Sequence, residues 1–129
     1  TKFYENPHII ITYRDPRDIF SEFKQKSAYS YPKEVNIFCQ WYKKLIKNID
    51  DQNFENAKIL KINFEDFVLK HQNTVEKISK FILEDINLPK DNFNLERSKN
   101  NLLKFKNLLS DLELATIEKL LGKHLYFKQ

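Results

Sequence analysis

The elements legible in this chain run strand, helix, helix, strand, helix, helix, and that order predicts an α/β fold with a parallel pair of strands. Three observations carry it. His8-Ile-Ile-Ile-Thr-Tyr13 is a short apolar, β-branched run that stops at a helix-start signal. Residues 57–63, Ala-Lys-Ile-Leu-Lys-Ile-Asn, form a second such run. Between them, apolar residues recur at helical spacing, so the strands are joined by a helical crossover, which is right-handed in nearly all folds. Two strands make a poor sheet, so further strands are expected from sequence beyond these residues. At 129 residues the chain has the size of one domain, spanning 1–129.

Each element has a local justification. The first strand reads as buried on both faces, as in parallel sheets. Asp15 suits an N-cap and Pro16 the first helical position, which predicts a helix from 16 to about 27. After a connection at 29–32, a second helix starts at Pro32. There Ile37, Phe38, Trp41, Tyr42, Leu45, Ile46 and Ile49 form a wide apolar face. A polar loop, 50–56, leads into the second strand, and 64–67 is a turn or short helix. Asn73 with Glu76 reads as a capping box. It opens a helix with Val75, Ile78, Phe81 and Ile82 on one face, and Leu88-Pro89 ends that region. Residues 92–107 are polar and basic. Ser110 with Glu113 is a second capping box, opening a helix from about 111 to 121 with Gly122 as its C-cap.

Composition narrows the function classes. Hydrophobic residues make up 41% and aromatics 14%, with eleven Phe, which is too apolar for a disordered tail. No apolar run approaches the ~20 residues of a membrane helix, and no signal peptide opens the chain. The single cysteine, Cys39, excludes an internal disulfide framework and fits a reducing, cytoplasmic setting. His8, His71 and His124 stand in different segments without ligand spacing, so no metal site is expected. The net charge of +4 is a mild bias toward anionic partners. The lysines are scattered and no reading motif appears, so no nucleic-acid partner is expected. One glycine, Gly122, cannot build a Gly-rich phosphate loop. The chain contains no methionine and is expected to be a piece of a longer protein.

The informative segment is 9–23. A parallel strand ends in Arg14 and a helix starts at once. Ligands of open α/β sheets bind outside the carboxyl ends of strands. Free N–H groups at a helix start favour an anion, and a guanidinium suits phosphate. Ser21 is a candidate hydroxyl donor. The other reading, in which Arg14 pairs with Asp15 or Asp18 to tie the turn, stays open. Elsewhere, Cys39 reads as a buried structural thiol, and Trp41 and Tyr42 as core. Lys43, Lys44 and Lys47 read as a solvated face. Glu65 and Asp66 read as a helix cap, with general-base work as the alternative.

Ile-Ile-Ile-Thr-Tyr-Arg-Asp-Pro-Arg-Asp resembles the 3′-phosphate motif of PAPS-dependent sulfotransferases: an apolar strand, Arg-Asp/Asn-Pro-x-Asp, then a helix carrying a Ser. Lys58-Ile-Leu-Lys-Ile-Asn-Phe-Glu-Asp-Phe67 resembles the family's strand with its Tyr-Glu-Asp-Leu-type turn. Arg97-Ser-Lys-Asn-Asn-Leu-Leu-Lys-Phe-Lys106 resembles its late basic loop. The resemblance spans nearly the whole chain and corresponds to the C-terminal half of a sulfotransferase. It implies the C-terminal part of a P-loop-like, three-layer parallel-sheet domain, predominantly helical here and lacking the phosphate-loop half. It implies sulfuryl transfer from PAPS to a hydroxyl or amine acceptor, leaving PAP. Arg14 would grip the 3′-phosphate with help from Ser21. Phe64 stands where the family often has a Tyr near the adenine, and Arg97, Ser98 and Lys99 belong to the closing loop. Arg17 and Asp18 would shape the turn. The family Ser lies eight residues after the Arg, which is Glu22 here. Leu103 and Phe105 replace a Gly and a Trp. No catalytic base is assigned.

The alternatives are another nucleotide-phosphate-binding α/β enzyme of kinase type, a non-catalytic basic interaction module, and a degenerate sulfotransferase-like domain. A surface glycan is the candidate acceptor. An open sheet edge would invite self-association.

Overall fold

The computed structural model describes residues 5–26, 31–83 and 94–128. Its elements are β1 (His8–Tyr13), α1 (Pro16–Gln25), α2 (Val35–Asp50), β2 (Lys58–Asn63), α3 (Phe64–Leu69), α4 (His71–Ile82), α5 (Leu95–Lys99), α6 (Phe105–Leu108) and α7 (Asp111–Leu121). The expected mixed α/β character and the parallel strand pair are both present. The chain forms two compact units, one built from residues 1–13 and 53–102, the other from 14–52 and 103–129.

In the first unit β1 pairs with β2 in parallel, from His8 opposite Lys58 to Tyr13 opposite Asn63. Burial in β1 alternates, and Ile10 and Ile59 are about two-fifths exposed. Burial of β1 on both faces is therefore not realised. A two-stranded ribbon flanked by two helices has its apolar layer on one side, where Ile62, Val68 and Ile78 are buried. The His8 ring meets Phe81 edge-on at 5.1 Å.

The helix α3 follows β2 without a break, and only Lys70 separates it from α4. The capping box expected at Asn73 is not formed, because α4 already starts at His71. The Thr74 hydroxyl donates to the Asp66 carbonyl at 3.0 Å, and the Thr74 N–H donates to Lys70. These bonds draw the chain into helix before Asn73 is reached. α4 ends at Leu83, whose left-handed φ of 59° is what usually selects glycine at a helix end. Leu88 and Pro89 lie outside the described residues. Part of the basic stretch is helical: in α5 the Asn94 side chain accepts from the Arg97 N–H at 3.0 Å.

In the second unit α1, α2, α6 and α7 enclose a core of Phe20, Phe38, Cys39, Tyr42, Phe105, Leu109, Ile117 and Leu121. The N-cap at Asp15 and the first-turn Pro16 are as the sequence indicates, and α1 stops at Gln25, short of 27. α2 begins at Val35 rather than Pro32. Its wide apolar face is only partly used. Phe38, Cys39 and Tyr42 are buried, whereas Ile37 is 52% exposed and Trp41 37%. Trp41 still meets Phe23 and Phe38, with ring centres 5.3 and 5.8 Å away. Lys43, Lys44 and Lys47 are exposed, as a solvated face requires.

The Ser110–Glu113 capping box is formed in both directions, and α7 spans the expected residues. Glu113 also binds Lys24 at 2.7 Å. Burial alone would raise the Glu113 carboxyl, but the Lys24 and Ser110 bonds outweigh it and hold the pKa below its ordinary value. Gly122 caps α7 with a right-handed φ of −52° and continues into a 3-10 turn, Gly122–His124.

Two outcomes follow from these environments. Leu83 is 80% exposed, so Leu83→Gly removes left-handed strain with little packing lost. It should raise stability by about 0.5–1 kcal/mol in urea denaturation. The His124 ring packs edge-on against Tyr42 at 5.4 Å. Burial, then the Lys123 charge, lower its pKa from the ordinary 6.5, against a weaker pull from Asp50. The native state thus holds fewer protons than the unfolded chain. This contribution to stability is complete above about pH 6.5 and is lost as pH falls through the lowered value. Denaturation midpoints between pH 5 and 8 should show that loss, and His124→Gln should flatten it.

Candidate functional site

Strand β1 ends at Tyr13, and Arg14-Asp15-Pro16-Arg17-Asp18 turns the chain into α1. Asp15, Pro16, Arg17 and Asp18 are buried. The Arg17 guanidinium grips Asp15 with a fork: Nε to Oδ1 at 3.0 Å and Nη2 to Oδ2 at 2.8 Å. Such paired bonds fix geometry as well as charge. Nη2 also donates to the Phe127 carbonyl at 2.7 Å, and Nη1 reaches Glu118 at 3.3 Å. The guanidinium lies over the Phe105 ring, 4.1 Å from its centre. Burial works against the Arg17 charge, but Asp15 and Glu118 more than offset it, so its pKa stands above the usual arginine value.

Asp18 serves the backbone of the same region. It accepts from the Leu103 N–H at 3.0 Å and the Phe105 N–H at 3.2 Å. Burial raises its carboxyl above the ordinary carboxylate value, opposed by those two N–H groups and by the charge of Arg14. Leu103 holds a left-handed φ of 59° at the position where the resembling motif has Gly. Arg17 and Asp18 thus shape the turn, as the sequence suggests, and they tie it to residues 103–127.

The start of α1 is not open to an outside anion. The Arg17 N–H donates to the Asp15 carboxylate at 3.0 Å, and the Asp18 and Ile19 N–H groups donate to the Asp15 carbonyl. The expected free N–H groups are therefore replaced by a built-in cap. The charge of Arg14 reaches Asp18, and its side chain also makes a contact that neither reading of the sequence named. Its Nη1 binds Glu22 Oε1 at 2.6 Å. Ser21 is fully buried, and its hydroxyl donates to the Arg17 carbonyl one turn back at 2.9 Å, a common use of a helical Ser. In this structure it faces the interior of its unit. The structure thus brings Arg14 to Glu22, eight positions on, and not to Ser21.

The remaining candidates lie in the first unit. Phe64 opens α3 and is half-buried. Arg97 and Lys99 are exposed on α5 and Ser98 is half-buried, with Lys99 bound to Glu96 at 3.2 Å. Glu65 and Asp66 occupy the first turn of α3, and Glu65 is buried. In the second unit burial pushes the Cys39 thiol above its ordinary pKa, as a structural cysteine requires, despite nearby Lys43. Among the described residues no group of three or more His, Cys, Asp or Glu is arranged to hold a metal ion, and no helix is long and apolar enough to cross a membrane.

Open α/β sheets bind ligands outside the carboxyl ends of their strands, and Arg14 directly follows β1. The model of the sulfotransferase family matches residues 1–87, and the chain belongs to that family. The matched region contains both strands, the Arg14–Asp18 turn and α1 to α4. It ends before α5, so Arg97, Ser98 and Lys99 lie beyond it. No curated protein and no solved structure matches the chain.

Arg17→Ala strips the charge partner from buried Asp15 and leaves the Phe127 carbonyl without its donor. Breaking a buried pair on one side costs about 3–5 kcal/mol, which equilibrium urea denaturation should show. The Asp15→Ala/Arg17→Ala double variant should lose less than the sum of the single losses.

Proposed function

We propose that the chain serves sulfuryl transfer from PAPS, leaving PAP, and that its share of that work is to hold the 3′-phosphate. Membership of the sulfotransferase family supports the reaction class. The observation that carries the finer reading is Arg14. It stands at the carboxyl end of a parallel strand, and its side chain keeps 17% exposure beside a turn whose other charges are already committed. Arg17 is consumed by Asp15, Glu118 and the Phe127 carbonyl. We take Arg14, bound to Glu22 in this structure, as the cation of the turn that meets the 3′-phosphate.

In this reading Phe64 lies near the adenine, and Arg97, Ser98 and Lys99 belong to the segment that closes over the nucleotide. Ser21, as it stands here, supports α1 rather than the phosphate. The acceptor is a hydroxyl or amine, with a glycan as the candidate. Transfer needs a base to take the acceptor proton and cations to stabilise charge on the departing phosphosulfate. With one glycine, these 129 residues do not build a Gly-rich loop for the 5′ end of PAPS. The domain is proposed to be a single sulfotransferase-like one, with that loop supplied from outside this sequence.

Calorimetric titration with PAP, with ADP as comparator, into this chain and into a version extended upstream to carry that loop, tests the reading. PAP should bind more tightly than ADP, because only PAP carries a 3′-phosphate. Arg14→Ala should weaken PAP at least about tenfold, the lower end of losing one charge-assisted phosphate contact, and leave ADP nearly unchanged. Equal affinity for PAP and ADP would remove the 3′-phosphate role and favour a kinase-type nucleotide site.

A further inference from the structure

We infer that Glu22 is an internal anion that occupies Arg14 in the free protein and sets which anions Arg14 accepts. This rests on the reading of Arg14 as the 3′-phosphate grip. The Glu22 carboxylate meets Nη1 at 2.6 Å, short even for a charged pair, and so takes a donor that a phosphate oxygen would otherwise use. The contact is built into the helix. Glu22 lies in the second half of α1, and the self-capped turn at Asp15 fixes where that helix starts relative to Arg14. Asp18, whose carboxylate feels the Arg14 charge, adds negative potential from the first turn.

A phosphate approaching Arg14 must therefore displace a carboxylate already in place or share the cation with it. Glu22 has somewhere to go. Its other oxygen is 3.9 Å from the Lys26 ammonium, one helical turn further on. Breaking the Arg14 contact passes the carboxylate to Lys26, where it remains neutralised on the same helix face. Arg14 with Glu22 is thus a latch with two charge-balanced positions. Its consequence is selectivity. A weak monoanion gains too little to open it, whereas a phosphate dianion gains more from the guanidinium, and the held affinity is moderate. Glu22 acts through Arg14 and is a specificity-determining residue, not a catalytic one.

The test is calorimetric titration of PAP and ADP into the upstream-extended protein as wild type, Glu22→Gln and Glu22→Ala, with thermal melts to show that each variant folds. Gln keeps an oxygen for Arg14 without charge, and Ala removes the group, so the pair separates repulsion from occlusion. Both should tighten PAP about tenfold or more, since like charges opposed at a contact are strongly unfavourable, and both should change ADP less than about twofold. Three results decide. If PAP tightens selectively, Glu22 is the latch. If PAP is preferred over ADP equally in all three proteins, or if PAP and ADP tighten together through the added net charge, the latch is wrong while the 3′-phosphate reading stands. If none of the three prefers PAP over ADP, the 3′-phosphate reading itself falls and takes the latch with it.

Discussion

The second unit depends on a carboxylate and a guanidinium that sit almost entirely out of water, Asp15 and Arg17, at 0% and 2% side-chain exposure. Desolvating two charges is costly, and a buried pair seldom adds net stability over a well-packed apolar one. What this pair supplies is connection. Asp15 serves Arg17, caps α1, and takes the N–H groups of Tyr126 and Phe127 at 3.1 and 3.3 Å. Arg17 returns a bond to the Phe127 carbonyl and covers Phe105. Asp18 adds the N–H groups of Leu103 and Phe105. Backbone groups in an irregular segment need partners when buried, and this turn provides them for residues 103–127.

Much of this was legible wherever the signal is local. Asp15 and Pro16 placed the start of α1. Ser110 with Glu113 placed α7, and β-branched runs placed both strands within a residue. Caps and strand runs are decided by a few neighbours along the chain, so sequence suffices. The misses share one cause. Asn73 with Glu76 is as good a capping box on paper as Ser110 with Glu113. It lost because Thr74 found the Asp66 carbonyl on the preceding helix, a contact that no local pattern encodes. The apolar residues of α2 were likewise read as one face. Tertiary packing reaches Phe38 and Tyr42 and leaves Ile37 and Leu45 to solvent.

For the site, the strand-to-Arg14 motif and the turn-shaping parts of Arg17 and Asp18 could be read directly, since the residue types and spacing sit within five positions. Family membership over residues 1–87 agrees with that reading at the level of the fold class. The partner of Arg14 could not be read in the same way. Asp15 and Asp18 are nearer in sequence, but Asp15 forks onto Arg17 and Asp18 accepts from two N–H groups, while Glu22 meets Arg14 from further along α1.

The parallel pairing of β1 with β2 has a kinetic meaning. Every partnered residue lies fifty positions from its mate, from His8 with Lys58 to Tyr13 with Asn63. The intervening chain includes α1 and α2, which belong to the other unit, so neither unit is one continuous stretch. Closing so long a loop before any ladder bond is gained makes non-local pairing slow. Helices α1 and α2 form from local contacts and shorten the span that must be closed. The sheet is thus the late event of folding. Until it forms, Ile9, Ile10, Ile11 and Ile59 are an unpaired apolar edge, open to misassociation during synthesis.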